Sequence, residues 1–374
     1  MFGGARHLAL AGGAIRGEAR AWPSPMHDAY PALLAHRGRP AVVLASGDPF
    51  EFGVGSVLAA LVAAGEWRCL PAPSAFALAC ARLGWARQDV ACLSFCGRPV
   101  AALLPHLHPG RRILALSADA ATPGEVAALL AARGFGPSPL HVLEALGATR
   151  ERVRVARASD GVRGDIDPLN LLGIEVVAGP GARVIPLGAG LDDALFEHDG
   201  QITKREVRAA TLAALAPRVG ELLWDIGAGS GSVAVEWLLA HPANRAIGIE
   251  PRPERAARAA RNAQAMGVHL VVREGRAPAA LAGLPPPDAV FIGGGMTGDG
   301  VLDAAWAALR AGGRAGGRIV ANAVTIETEA VLFAAHAAHG GTLTRIAVER
   351  LDAVGRMHGF RPAMTVTQWA AMQP

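Results

Sequence analysis

Residues 222–239, LLWDIGAGSGSVAVEWLL, constrain the fold more than any other stretch, because an apolar strand there runs through a glycine-rich turn directly into a helix. Gly227, Gly229 and Gly231 carry no Cβ, so a ligand can approach the backbone closely and the chain can reverse at positive φ. A helix beginning near Ser232 aims its unpaired N–H groups, and the positive end of its dipole, at any anionic group the turn receives. A strand, turn and helix in this order specify an α/β sheet with a nucleotide-like ligand above the turn.

Spacing narrows the ligand. A dinucleotide fingerprint needs G-x-G-x-x-G, and Ser232 stands where its third glycine belongs. Downstream, Glu250 closes the apolar strand AIGIE (246–250), where a carboxylate can accept hydrogen bonds from both ribose hydroxyls; as a plain strand end it would only be solvated. The run D-I-G-A-G-S-G (225–231) resembles the first motif of class I S-adenosylmethionine-dependent methyltransferases. That resemblance implies that Gly227, Ala228, Gly229, Ser230 and Gly231, together with Glu250, hold S-adenosylmethionine.

The second half alternates strand-like and helix-like segments as a doubly wound sheet requires. Strands are expected near 221–226, 246–250, 268–272, 288–292, 318–324, 343–349 and 364–369, and helices near 204–215, 232–240, 253–266, 299–310 and 327–339. Seven strands is the count of the class I methyltransferase fold. In the first half, PAVVLASGDP (40–49) reads as a buried strand entering a turn, and the apolar stretch 54–65 has helical character. Residues 71–85 form a turn and a helix, 111–119 a strand, and 122–136 a helix with Pro123 near its start and Gly134 at its stop. Between the halves, 179–200 is rich in Gly and Pro and poor in periodicity, which places a linker there. The expected division is therefore 1–178, a linker over 179–200, and 201–374.

At 374 residues two domains are the default, and 51% hydrophobic residues suffice for large cores. The net charge of +4 comes from scattered basic residues, with no run that would track phosphates, so nucleic acid is not indicated. The stretch 54–65 is too short to span a membrane, and Arg6, Arg16 and Arg20 interrupt any leader-like N-terminus. Cys69, Cys80, Cys92 and Cys96 lack C-x-x-C or zinc spacing, so they read as structural thiols of a cytoplasmic protein with no metal site.

Taken together, SGDPFEFGVGS (46–56), residues 71–85, GQITKREVR (200–208), the glycine turn, DAVFIGGG (288–295) and VANAVTIET (320–328) resemble the precorrin-6Y C(5,15)-methyltransferases (decarboxylating) of cobalamin biosynthesis. The resemblance covers nearly the whole chain. It implies a tetrapyrrole-methylase α/β domain fused to a seven-stranded Rossmann-like class I methyltransferase domain, a precorrin substrate methylated at carbons 5 and 15, decarboxylation of the ring C acetate, and a homo-oligomer. In the N-terminal half the positions matched to S-adenosylmethionine binding are Ser46, Gly47 and Asp48, with Ser74 and Ala75 on the later turn. Read without the resemblance, Asp48-Pro49 is an ordinary turn.

The family pattern also implies a strand and glycine loop about 30 residues upstream of the segment that here follows Met1, so the N-terminal domain is expected to lack its first strand. Two accounts stay open: a start assigned too far downstream, or a natively incomplete domain. Thr203-Lys-Arg-Glu206 matches a capping box, and the resemblance also sets Thr203 beside S-adenosylmethionine and Ala277 beside its adenine. Lys204 and Arg208, one turn apart, face either a substrate carboxylate or solvent. Gly293, Gly294 and Gly295 replace the Asn/Asp-Pro-Pro-aromatic turn of enzymes that methylate the exocyclic amines of bases, leaving room and N–H donors for a flat, carboxylated acceptor. Arg356 and His358 are either substrate contacts or part of a loop before the last strand. No nucleophile–base constellation appears, and the catalytic residues are unassigned, as expected where alignment of an activated donor does most of the work. The competing readings are an RNA methyltransferase with an accessory N-terminal domain, and a single-site methyltransferase on a non-catalytic scaffold.

Overall fold

The computed structural model describes residues 1–312 and 316–373. The chain divides into two compact units, Met1–Val100 with His108–Ala182, and Ala101–Leu107 with Arg183 onward.

The first unit opens with a two-residue parallel pair, β1 (Phe2–Gly3) and β2 (Arg20–Ala21), separated in sequence by α1 (Ala5–Ala11). Helices α2 (Tyr30–Leu34), α3 (Val54–Ala59) and α4 (Ala75–Leu83) lead into a five-stranded sheet. Its strands are β3 (Val90–Ser94), β4 (Arg112–Leu116), β5 (Pro139–Glu144), β6 (Arg152–Arg157) and β7 (Asn170–Glu175), in the order β3-β4-β7-β5-β6, with α5 (Thr122–Ala132) between β4 and β5. Ser74 starts α4 by accepting the Ala77 N–H at 3.2 Å, and the helix buries Phe76 and Ala79 against Trp85, Leu114, Leu143 and Leu171 of the sheet core. Glu144, buried on β5, takes both Arg152 and Arg154 of the neighbouring β6, and these bonds hold its carboxyl down at about 2.

The buried strand expected over 40–49 is not present. Val43 makes a single bridge to Phe2, and Val42 is half-exposed. The short β1 supplies only the Phe2 N–H and C=O, each bonded at 2.8 Å, before Gly3 and Gly4 turn into α1, so no ladder can propagate.

The second unit carries α6 (Arg205–Leu215), β8 (Leu222–Ile226), α7 (Ser232–Ala240), β9 (Arg245–Glu250), α8 (Pro253–Ala265), β10 (Val271–Glu274) and β11 (Ala289–Ile292). There follow α9 (Val301–Ala311), β12 (Arg318–Ala323), α10 (Ile326–His339), β13 (Thr342–Ile346), β14 (Glu349–Val354), β15 (Met357–Pro362) and β16 (Val366–Met372). Seven of these strands form one sheet in the order β10-β9-β8-β11-β12-β16-β13, parallel except for β16. Side-chain alternation along β8 explains the three layers. Leu222, Trp224 and Ile226 pack with Val301, Trp306 and Leu309 of α9 and Leu332 of α10, whereas Leu223 packs with Leu212 of α6, Val235 of α7 and Ala263 of α8.

Three expectations are corrected here. The helix after GQITK starts at Arg205 with Lys204 as N-cap and no side-chain cap, so Thr203 and Glu206 form no capping box; Arg350 instead takes the Glu206 carboxylate. Arg208 neither faces solvent nor lines the cleft. It is wholly buried and binds Glu236, Asp193 and the carbonyls of Thr203 and Leu191, because a guanidinium with five donors can bridge all four groups where a lysine could not. The segment 354–362 is not a loop: β14 and β15 pair antiparallel around Gly355-Arg356, and His358 is exposed on β15. The stretch 179–200 contains no regular element beyond a short turn at Asp193–Leu195, and Leu191 and Phe196 are buried in the second unit.

Candidate functional site

The C-terminal ends of the parallel strands in the second unit open into a cleft of about 630 Å³. Gly227, Ala228, Gly229 and Ser230 line it, with Thr203, Glu250 and Ala277. Seven of the positions expected to hold the nucleoside therefore converge on one space. Gly231 does not line it. A Cβ there would meet Ala259 Cβ at 2.9 Å and Leu270 Cδ2 at 3.2 Å, so this glycine lets α8 pack against the turn.

The turn and the acidic residue are locked together. Glu250 is 4% exposed; its Oε2 accepts the Gly229 N–H at 2.9 Å, and its Oε1 accepts the Arg252 N–H at 3.0 Å. An ionised carboxylate has about four lone-pair sites, so both oxygens keep acceptor capacity for ligand hydroxyls. Gly227, at φ +74°, is pressed against the opposite turn, where a Cβ would lie 2.8 Å from Gly294 N and O. By contrast, a Cβ on Gly229 would have its nearest neighbour 3.9 Å away, which leaves that backbone open to a ligand. The cradle thus fits a nucleoside whose ribose faces Glu250.

Asp225 is a lining residue the sequence reading had used only as part of the motif. Its Oδ2 accepts the Ala234 N–H at 3.1 Å and its Oδ1 has no partner, although it is buried. Complete burial pushes this carboxyl up to about 7, opposed by the Ala234 N–H and reinforced by the charge of Glu250.

The cleft has two ends. Glu250 closes β9, whereas Asn322 lies on β12, Val366 on β16 and Ile346 at the end of β13. Since β9 and β13 are five strand spacings apart in the sheet order, the lining runs about 24 Å across the sheet. Gly293, Gly294 and Gly295 sit between, after β11. The far wall is mostly apolar, from Ile346, Val348, Met364 and Val366, with Arg350 beside it. Asn322 is fixed there by donating to Thr211 at 2.9 Å and accepting from Gln368 at 3.0 Å. Ile346, Val348, Met364 and Val366 lie within segments expected as strands, 343–349 and 364–369, but no local signal in either segment marks it as a cleft wall.

A separate cleft of about 720 Å³ lies in the first unit, lined by Asp48, Glu51, Ser74, Trp85 and Arg87 among others. Of the five residues matched there, Asp48 and Ser74 line it, and Ser46, Gly47 and Ala75 do not. Asp48 Oδ1 accepts the Phe50 N–H at 2.8 Å, a local turn bond. Ser46 is engaged by Arg6 at 2.9 Å and His7 at 2.6 Å, and Gly47 packs its backbone on Pro73 and Ser74. No helix among the described residues is long and apolar enough to cross a membrane, and no His/Cys/Asp/Glu group among them is placed to hold a metal ion. All four cysteines are free.

Comparison with known proteins bears on both units. Residues 194–373 match the family model described as precorrin methyltransferase domain, and residues 19–160 match tetrapyrrole (corrin/porphyrin) methylases. The chain is 58% identical over 371 residues to a precorrin-6Y C(5,15)-methyltransferase [decarboxylating] of Sinorhizobium sp, covering 99% of this chain and 89% of that one. A Mycobacterium tuberculosis protein of the same description is 39% identical over 375 residues, covering 99% of this chain and 92% of that one. The crystal structure of the C-terminal domain of precorrin-6Y C5,15-methyltransferase from Rhodobacter capsulatus is 49% identical, covering 50% of this chain and all of that one, with a TM-score of 0.47.

Proposed function

The chain belongs to the precorrin-6Y C(5,15)-methyltransferases (decarboxylating), and on that premise we propose that it transfers methyl groups from S-adenosylmethionine to carbons 5 and 15 of a precorrin, with loss of carbon dioxide from the ring C acetate, whose methylene carbon stays on the ring and takes up a proton. The observation that carries this reading is the single cleft in which the Gly227–Ser230 turn, Glu250 and the Gly293–Gly295 turn meet. In the proposal the first unit serves carbon 5, with Ser46, Gly47, Asp48, Ser74 and Ala75 as its candidate cofactor residues, and the second serves carbon 15 and the decarboxylation.

S-adenosylmethionine supplies an already activated electrophilic methyl group. The residues of this chain then have to bind, align and exclude water. Glu250 receives the ribose hydroxyls, Gly229 offers open backbone beside them, and Thr203 and Ala277 bound the same end of the cleft. The Gly293–Gly295 turn and the apolar wall from Ile346 to Val366 leave a flat space for the macrocycle. A ring C acetate turned toward that wall loses solvation, which raises the energy of the carboxylate and favours release of carbon dioxide.

The test is incubation of the full chain with S-adenosylmethionine and precorrin-6Y, read by mass. A gain of two methyl groups with loss of one carbon dioxide is expected. A gain of one methyl, with a single S-adenosylmethionine site by calorimetry, would replace the bifunctional reading with a one-site enzyme on a scaffold.

A further inference from the structure

We infer that Arg350 is a specificity residue for the tetrapyrrole, releasing Glu206 to take a substrate carboxylate; the inference rests on the methyltransferase reading above. Three observations lead there. First, Arg350 lines the cleft beside Ile346, Val348, Met364 and Val366, a wall carried by β16, β13 and the residues next to them, four and five strand spacings from the β9 that ends at Glu250. The nucleoside is seated on the glycine turn and Glu250, so this wall is left for the acceptor. Precorrins carry several acetate and propionate groups around a flat, apolar ring, and a cation set into an apolar wall matches that chemistry.

Second, the partner of Arg350 is replaceable. Arg350 and Glu206 are 46% and 44% exposed, and an exposed pair of this kind adds little to stability because solvent screens it. Arg208 on α6 behaves differently: it is wholly buried on Glu236, and breaking that pair would cost several times more. Only the exposed pair can exchange partners on binding without disturbing the core.

Third, the backbone beneath Arg350 has little else to do. The β14–β15 hairpin forms its own two-stranded sheet, and Leu351, Val354, Met357 and Phe360 on it are exposed. Glu206 therefore reads as a stand-in that keeps the guanidinium extended toward the cleft until a ligand carboxylate competes for it. A bidentate arginine–carboxylate contact also fixes orientation, so the pairing would select which edge of the ring enters.

The experiment uses the full chain and two substitutions at these half-exposed positions, Arg350→Met, which keeps the stem and removes the charge, and Glu206→Gln. Kd for precorrin-6Y is read by absorbance titration, KM by turnover, and Kd for S-adenosylmethionine by calorimetry. Arg350→Met is expected to weaken precorrin-6Y binding and raise its KM about ten-fold or more. Glu206→Gln is expected to act in the opposite direction, tightening binding by about two- to five-fold, because the competitor is gone. S-adenosylmethionine affinity is unchanged in both. A salt bridge that only braces the hairpin would be lost equally from either side, so equal weakening by both substitutions, or a shift confined to S-adenosylmethionine, overturns the inference. Failure of the unsubstituted chain to bind precorrin-6Y removes the methyltransferase reading itself, and this inference with it.

Discussion

Glu250 accepts the N–H of Gly229 at 2.9 Å, so the end of β9 and the turn after β8 are a single preorganised object. The carboxylate is nearly buried, and its second oxygen is steadied by Arg252 N–H. Replacing it by Gln puts an NH₂ opposite one of two backbone donors and removes the charge that strengthens any hydroxyl donor. Glu250→Gln is expected to weaken S-adenosylmethionine binding by about ten-fold or more, with a smaller effect on precorrin KM. Calorimetry showing equal affinity for both forms would remove Glu250 from the nucleoside site.

Gly227 and Gly229 separate packing from ligand access. Both have positive φ, +74° and +56°, so alanine at either costs about 1–2 kcal/mol of backbone strain. Only at 227 does the new Cβ also strike backbone, at Gly294. Gly227→Ala is therefore expected to be the less stable variant by denaturant melting, whereas Gly229→Ala stays nearer the parent in stability and loses S-adenosylmethionine affinity, because its methyl points into the open cleft. The reverse ranking of stabilities would contradict the placement of the two turns.

Asp225 makes stability depend on pH with an unusual sign. Its carboxyl ionises at about 7 in the folded chain and near 3.8 when unfolded. Between those values the native state holds a proton that the unfolded chain has released, so stability falls as pH rises from about 4 to about 7, and the penalty is full above that. Asp225→Asn is neutral throughout and keeps an oxygen for the Ala234 N–H. It is expected to flatten this slope and to be the more stable form at pH 8, by on the order of a few kcal/mol. Parallel stability–pH curves for the two proteins would show that the group ionises freely in the fold.

That the glycine turn and Glu250 share one cleft was legible in the sequence because the signals are local. Gly227, Gly229 and Glu250 lie on one strand–turn–helix–strand unit, and the order of apolar segments places that unit in a parallel sheet. The acceptor end was not. Arg350 lies on β14, and its partner Glu206 stands 144 residues earlier in the chain, so no local pattern joins them. The absent strand at 40–49 failed for the opposite reason: its residues have the right pattern, but β1 offers it only one bridge. The capping box at Thr203 does not form: the helix starts one residue later, with Lys204 as N-cap, which puts Glu206 at the second helical position, where its carboxylate pairs with Arg350.

Charge patterning also concealed Arg208, which the one-turn spacing from Lys204 presents as a surface pair. Its guanidinium is wholly buried over the ring of Phe196 and tied to Glu236, and Glu236 in turn accepts the N–H groups of Gly190 and Leu191 at 2.7 and 2.9 Å. Removing the cation strands a buried carboxylate, so Arg208→Met is expected to cost about 3–5 kcal/mol in denaturant unfolding. Removing both charges in Arg208→Met with Glu236→Leu recovers only part of that loss. The two backbone donors are then left without their acceptor, at about 1–3 kcal/mol each. Full recovery in the double variant would mean that water or a shifted carbonyl satisfies those donors, and an Arg208→Met protein within about 1 kcal/mol of the parent would mean that the pair holds nothing together.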